Sequence, residues 1–194
     1  MGLSLKKGQT ISLRKKDTKK GLERVHLGLG WDPIAPQGFF ARLFSSGDID
    51  LDASCLMYDA NKTLKDTIYY GQLRSKDGSV THTGDNLTGE GDGDDESIIV
   101  NLKGVPSSIQ YLAFTINSFR GQTFDQVENA FCRLVNLGNN EEVCRYTLSE
   151  KGSHTGVIMA VVYRQDEVWE LKAIGAPCGG RRAVDISNDV VKFL

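Results

Sequence analysis

The chain has 194 residues, 40% hydrophobic and 25% charged, with a formal net charge of −2. That length fits one domain, 1–194, with a core large enough to need neither disulfides nor a structural zinc. The four cysteines are scattered without a CxxC pair, and the longest apolar stretch, Val157–Val162, is far too short to span a bilayer. With no apolar leader in view, the sequence predicts a cytoplasmic protein.

The small net charge hides a division. The window from Asp77 to Leu102 holds seven acids and no Lys or Arg, leaving 18 acids against 23 bases elsewhere, a formal +5. Residues 1–24 alone carry eight bases against Asp17 and Glu23. Such a patch can attract nucleic acid or anionic lipid, but Lys-rich tips and edges also guard sheets against aggregation. No basic recognition helix or aromatic platform accompanies it, so no nucleic-acid partner is expected.

Period-two alternation dominates the chain. Gln9–Arg14 predicts a short strand, then a Lys-rich turn closed by Gly21. Val25, Leu27, Leu29 and Trp31 share one face of the next strand, which Asp32-Pro33 ends. A loop over 33–48 follows, with Phe39, Phe40, Leu43 and Phe44 expected to fold back on the core. Leu51, Ala53, Cys55 and Met57 make the inward face of a third strand, which turns Asp50, Asp52 and Ser54 the other way.

Further strands are predicted over 67–73, 97–102, 111–117, 130–136, 142–148, 156–164 and 168–174, separated by turn clusters such as SKDG and NLGNNEE. Only 125–129 and the tail after Arg182 look weakly helical. Many short strands with frequent turns predict an all-β fold, a sandwich of two mostly antiparallel sheets with acidic loops at one end. Cys55, Cys132 and Cys144 fall within strands, where reduced cysteines act as small hydrophobes.

The segment GDNLTGEGDGDDE carries the strongest functional signal. Six carboxylates (Asp85, Glu90, Asp92, Asp94, Asp95 and Glu96) fall within twelve residues, broken by Gly89, Gly91 and Gly93. Two carboxylates about 4 Å apart repel by roughly 1 kcal/mol in water and by more at a protein surface. A folded loop that gathers so many needs a positive charge among them. Acidic runs are more often solvated loops, but this one has strand patterns on both sides and a second acidic pair, Asp50 and Asp52, on another strand. Hard oxygens on a glycine-broken loop suit Ca²⁺, which takes six to eight oxygens at about 2.3–2.6 Å. Eight carboxylates at one end would be poorly neutralised by one divalent ion, so two Ca²⁺ are expected. The spacing from Asp85 to Glu96 imitates an EF-hand, but Leu87, Gly89 and Glu90 stand where that loop needs ligands and its central glycine.

The runs MGLSLKKGQTISLRKKD, VHLGLGWDP, DIDLDASCLMYD, DGSVTHTGDNLTGEGDGDDESIIVNL, GQTFDQVENAFCRLVN and EVCRYTLSE together resemble the TerD family of bacterial tellurium-resistance and stress proteins. The likeness runs over 1–175, and the loop inserted between WDP and DLDAS resembles the TerZ-type branch. The resemblance implies a β-sandwich that binds two Ca²⁺ through acidic loops. It also implies a place among other Ter-type proteins linked to tellurite, phage and colicin resistance, as a calcium-dependent scaffold near the inner membrane. Carried over by motif, the metal ligands would be Asp50, Asp52, Asp85, Asn86, Glu90, Asp92, Asp94, Asp95 and Glu96. Asp32 would be a further contributor, and Gln122 a support behind them. The chain departs from the family pattern in lacking an acid near Asn117 and in its tail, APCGGRRAVDISNDVVKFL.

Three functions follow from these residues: a non-catalytic calcium-binding scaffold, a metal-dependent phosphoester hydrolase, and a Ca²⁺-dependent membrane-docking module. A two-metal hydrolase would hold its ions about 4 Å apart. No GxxxxGK loop, GxSxG elbow or spaced His/Asp set supports catalysis. His82, next to the acidic loop, is expected to be structural, and the scaffold reading, without enzymatic activity, leads.

Overall fold

The computed structural model describes residues 2–14, 20–33, 51–84, 94–118, 120–149, 151–166 and 168–194. In it the alternating segments form two facing sheets of six strands each. The first sheet has the order β1 (Leu3–Leu5), β10 (Glu141–Thr147), β9 (Val127–Asn136), β3 (Arg24–Pro33), β7 (Glu96–Asn101), β6 (Val80–His82). The second runs β2 (Thr10–Ser12), β12 (Val168–Cys178), β11 (Gly156–Gln165), β8 (Ile109–Ser118), β4 (Leu51–Asp59), β5 (Leu64–Ile68). Every pairing is antiparallel except β1 with β10. Gly8, at φ +81°, turns the chain from β1 in one sheet to β2 in the other, a backbone shape open to glycine at no steric cost.

The main core lies between the sheets. Val25, Leu27, Leu29 and Trp31 of β3 face Leu51, Ala53, Cys55 and Met57 of β4 within one buried cluster, as their alternation predicts. A second cluster covers the outer face of the second sheet. There Leu56, Tyr58, Ile158 and Val161 are buried by Ala183, Ile186 and Val190 of the C-terminal segment, which includes α1 (Ser187–Val190) and a 3-10 turn at Val191–Phe193. Strands buried on both faces need apolar residues at successive positions, which accounts for the unbroken run Val157–Val162 in β11. The tail is therefore a cover, and its weak helical pattern is present.

Three local expectations need correction. The strand expected over 67–73 spans Leu64–Ile68 instead, because the chain folds back at Tyr69↔Gln72 through Gly71. The helical reading of 125–129 gives way to a 3-10 turn at Phe124–Gln126 followed at once by β9, whose Val127 and Glu128 pair with Pro33 and Asp32. β1, three residues long, was not expected, and the strand pattern before the acidic run is realised in the three residues of β6. The loop 33–48, with Phe39, Phe40, Leu43 and Phe44, lies outside the described residues beyond Pro33.

Among the described residues no helix is long and apolar enough to cross a membrane. All four cysteines are buried free thiols. Burial pushes Cys144 and Cys178 up to about 12 and raises Cys55 and Cys132 as well, which leaves little thiolate for chemistry near neutrality.

Candidate functional site

One end of the sandwich collects the termini of β3, β8 and β12 with the starts of β4, β7 and β11. The pairings Leu29↔Glu96, Leu51↔Ser118 and Gly156↔Cys178 fix this. The acidic segment returns to the first sheet here, through Asp94, Asp95 and Glu96, and a bend at Asp95, just before β7 begins, sends these three carboxylates in different directions.

Asp94 lies flat on the outer face of the first sheet. Arg133 of β9 grips it with two parallel bonds, Nε to Oδ1 at 2.7 Å and Nη2 to Oδ2 at 2.9 Å. Such a fork-to-fork pair is among the stronger charge-assisted contacts. His26 Nε2 approaches the same carboxylate at 3.3 Å. Gly28 lies between Ser97 and Arg133 in register, and a Cβ there would fall 2.1 Å from the Asp94 carboxylate. Burial holds the imidazole of His26 below its usual pKa.

Asp95 is fixed by backbone. Its N–H donates to Leu29 O at 2.9 Å, and its Oδ2 accepts from Trp31 N at 2.8 Å. The register of β3 on β9 shifts between Gly30 and Asp32, so a bulge at Trp31 aims that N–H away from the ladder. Burial raises the Asp95 carboxyl above the usual range, and the nearby Asp32 and Asp94 push it further.

Glu96 turns inward, on the same face as Ile98 and Val100, and is almost fully buried. Its Oε2 accepts from Ala53 N of β4 at 2.5 Å and from His82 Nε2 at 3.2 Å, which links the two sheets. His82 Nδ1 accepts from Gly84 N at 3.1 Å, so Nε2 is the nitrogen that donates to Glu96. This imidazole has the structural role expected of it.

Asp52 sits on the outer face of the second sheet, 4% exposed, with Asn117 as its register partner on β8. Both line a cavity of about 90 Å³ roofed by the C-terminal segment. Asp32 is exposed, and its Oδ2 accepts from Asn129 at 2.7 Å. Gln122 closes the turn after β8. Its Oε1 accepts from Ser118 Oγ at 2.9 Å, and its N–H donates back to the same hydroxyl at 2.9 Å. Asp50, Asp85, Asn86, Glu90 and Asp92 lie outside the described residues.

The donors at this end suit a hard cation. They are oxygens, and the Oδ1 of Asn117, 2% exposed, is buried with no hydrogen-bond partner among the described residues. Asp95 carries its charge against burial and two neighbouring acids, a cost that a cation would offset. Among the described residues no group of three His, Cys, Asp or Glu side chains surrounds one point. Asp94, Asp95 and Glu96 all have partners that fix the stem, and Asp52 lines the cavity under the C-terminal segment.

Ser97, His26 and Asp94 imitate a hydrolytic triad, since His26 Nε2 also lies 2.7 Å from Ser97 Oγ. Both contacts use the same nitrogen, whereas a relay needs the acid on one ring nitrogen and the hydroxyl on the other. Sequence reasoning missed Arg133, Gly28 and Asn117. Arg133 and Asp94 are 39 residues apart, and no spacing pairs them. The buried Asn117 was flagged only for the missing acid beside it.

A two-sheet sandwich whose acidic connection is clamped at one end defines a class of β-sandwich domain. The chain belongs to the TerD family, matching the TerD domain over residues 1–181. It is 49% identical over 193 residues to tellurium resistance protein TerZ of Serratia marcescens, which covers 99% of this chain and 98% of that one. It is 43% identical over 201 residues to stress response protein SCP2 of Bacillus subtilis (strain 168), covering 98% and 100% of the two chains. The fold matches a crystal structure from Streptomyces coelicolor A3(2), described as a homologue of telluride resistance protein (TerD). The TM-score is 0.71 at 21% identity, over 88% of this chain and 98% of that one. The protein is a member of a family of tellurium resistance and stress response proteins.

Proposed function

We propose that the protein is a calcium-binding, non-catalytic scaffold of the tellurite and stress response, with two Ca²⁺ held by the acidic end. The observation that carries this reading is the clamped stem. Asp94 on Arg133, Asp95 on Trp31 N and Glu96 on Ala53 N hold the return of the acidic segment at the end of the sandwich where β4 begins. A preformed stem lowers the ordering cost of ion binding. When ions bind they would supply charge neutralisation and a rigid surface. The chain's own residues hold the stem, exclude water from Glu96 and present Asp52 and Asp95.

Calcium would convert an end that repels anionic partners into one near neutrality. The partners expected are other Ter-type proteins or a complex at the cytoplasmic face of the inner membrane, with the basic N-terminal residues adding a salt-sensitive contact. Affinity capture from bacterial lysate, with calcium and with EGTA, tests the switch. The reading expects Ter-type partners that are lost in EGTA, and a partner set indifferent to calcium contradicts it. Phosphoesterase turnover that required Asp52 would favour the hydrolase, and calcium-dependent binding to anionic vesicles in the absence of any protein partner would favour membrane docking.

A further inference from the structure

We infer that the C-terminal segment closes over a calcium ligand set, and that ion binding and tail docking stabilise each other through Asn117. The inference rests on the calcium reading above and deepens it. The cavity of about 90 Å³ has Asp52 and Asn117 as its floor and Arg182, Ala183 and Val184 as its roof. Asn117 belongs to both. Its Nδ2 donates to the backbone oxygen of Arg181 at 2.9 Å, its Oδ1 is buried without a hydrogen-bond partner among the described residues, and the residue lines the cavity with Asp52. A carbonyl accepts only from the nitrogen side of an amide, so the bond to Arg181 fixes which way Asn117 faces.

A buried amide oxygen beside a carboxylate offers two hard donors of the kind Ca²⁺ takes. Arg182, whose guanidinium would oppose a cation, is engaged by Asp185 at 2.9 Å. The tail docks by contacts of its own. Ile186 and Val190 are fully buried on the sheet, Tyr58 Oη donates to Ser187 O at 3.0 Å, and Lys62 Nζ donates to Leu194 O at 2.6 Å. When the tail lifts, the Asn117 amide loses its anchor and its oxygen is free to turn away. An ion on that oxygen in turn holds the nitrogen towards Arg181. Coupling of this kind is reciprocal and commonly worth five- to 150-fold in affinity, on the order of tenfold for one ligand.

The test combines hydrogen exchange across 183–194 with calcium calorimetry on the wild-type chain, Asn117→Ala and Ile186→Asp. Calcium, but not magnesium at the same concentration, should slow exchange of the tail by about tenfold, and each variant should weaken calcium binding by about tenfold. Wild-type chain that binds calcium saturably yet exchanges its tail at the same rate with and without it overturns the inference. So do folded variants with unchanged affinity. If the variants do not fold, the wild-type exchange decides alone. Wild-type chain with no saturable calcium binding removes the calcium reading itself, a separable outcome.

Discussion

Gly28 leaves the space in which Asp94 lies on the sheet, and its backbone has no need of positive φ, so the constraint there is steric. Gly28→Ala should therefore cost about 1–3 kcal/mol, as forced overpacking does, read as a lowered melting temperature. The same change made in an Asp94→Gly background should cost clearly less, because the clashing carboxylate is gone. Equal losses in both backgrounds would place the clash elsewhere. At this scale the sequence was only partly legible. Asp94 was visible as an acid, but its cation partner was not, because Arg133 comes from a strand whose register only the folded sheet defines. The inward turn of Glu96 was legible in principle, since it continues the alternation of Ile98 and Val100.

The strands joined at the acidic end depend on Glu96, which ties β7 to β4 across the sandwich. Glu96→Ala leaves Ala53 N without its carboxylate acceptor and should cost about 1.5–3 kcal/mol, the range for a hydrogen bond to a charged group. Denaturant unfolding checks this, and a loss under 1 kcal/mol would mean that water replaces the carboxylate readily. β5 carries a second carboxylate with a pH signature. Burial raises Asp66, but bonds from Lys76 N at 2.8 Å, Gln72 Nε2 at 2.9 Å and Thr67 N outweigh it, and the net pKa lies below the ordinary value. A lowered folded pKa gives stability that is present above the unfolded value, near 4, and is lost as pH falls through the folded one. Asp66→Asn should thus be less stable than wild type by about 1–2 kcal/mol at pH 7, with the gap shrinking on acidification towards pH 3. A gap constant with pH would show that shape, and not charge, matters there. Most strands could be read from alternation alone, since one face of each meets the core. β1 is too short for any period to register, and β9 starts early because pairing with Asp32 and Pro33 overrides the local helical preference of 125–129.

Across the whole molecule, charge is separated in sequence and brought to an address by the fold. The sandwich carries the acidic stem, the start of β4 and the end of β8 to one end, and the C-terminal segment covers the sheet beside them. Composition and alternation predicted the sandwich, and motif likeness predicted the family, because both depend on patterns along the chain. The covering tail was not foreseen as a cover, since its apolar residues Ala183, Ile186 and Val190 declare no partner until β4, β8 and β11 lie side by side. The proposed function stands on calcium binding at the acidic end. Calorimetric titration of chelator-treated protein with Ca²⁺, and in parallel with Mg²⁺, measures that binding. Saturable binding of about two Ca²⁺ per chain is expected, in preference to Mg²⁺, which keeps its waters and demands near-octahedral geometry. The same protein should gain about 2.7 kcal/mol of stability at a hundredfold excess of calcium over its dissociation constant. Titration heats no different from buffer up to millimolar calcium, or saturation by Mg²⁺ as readily as by Ca²⁺, would contradict it.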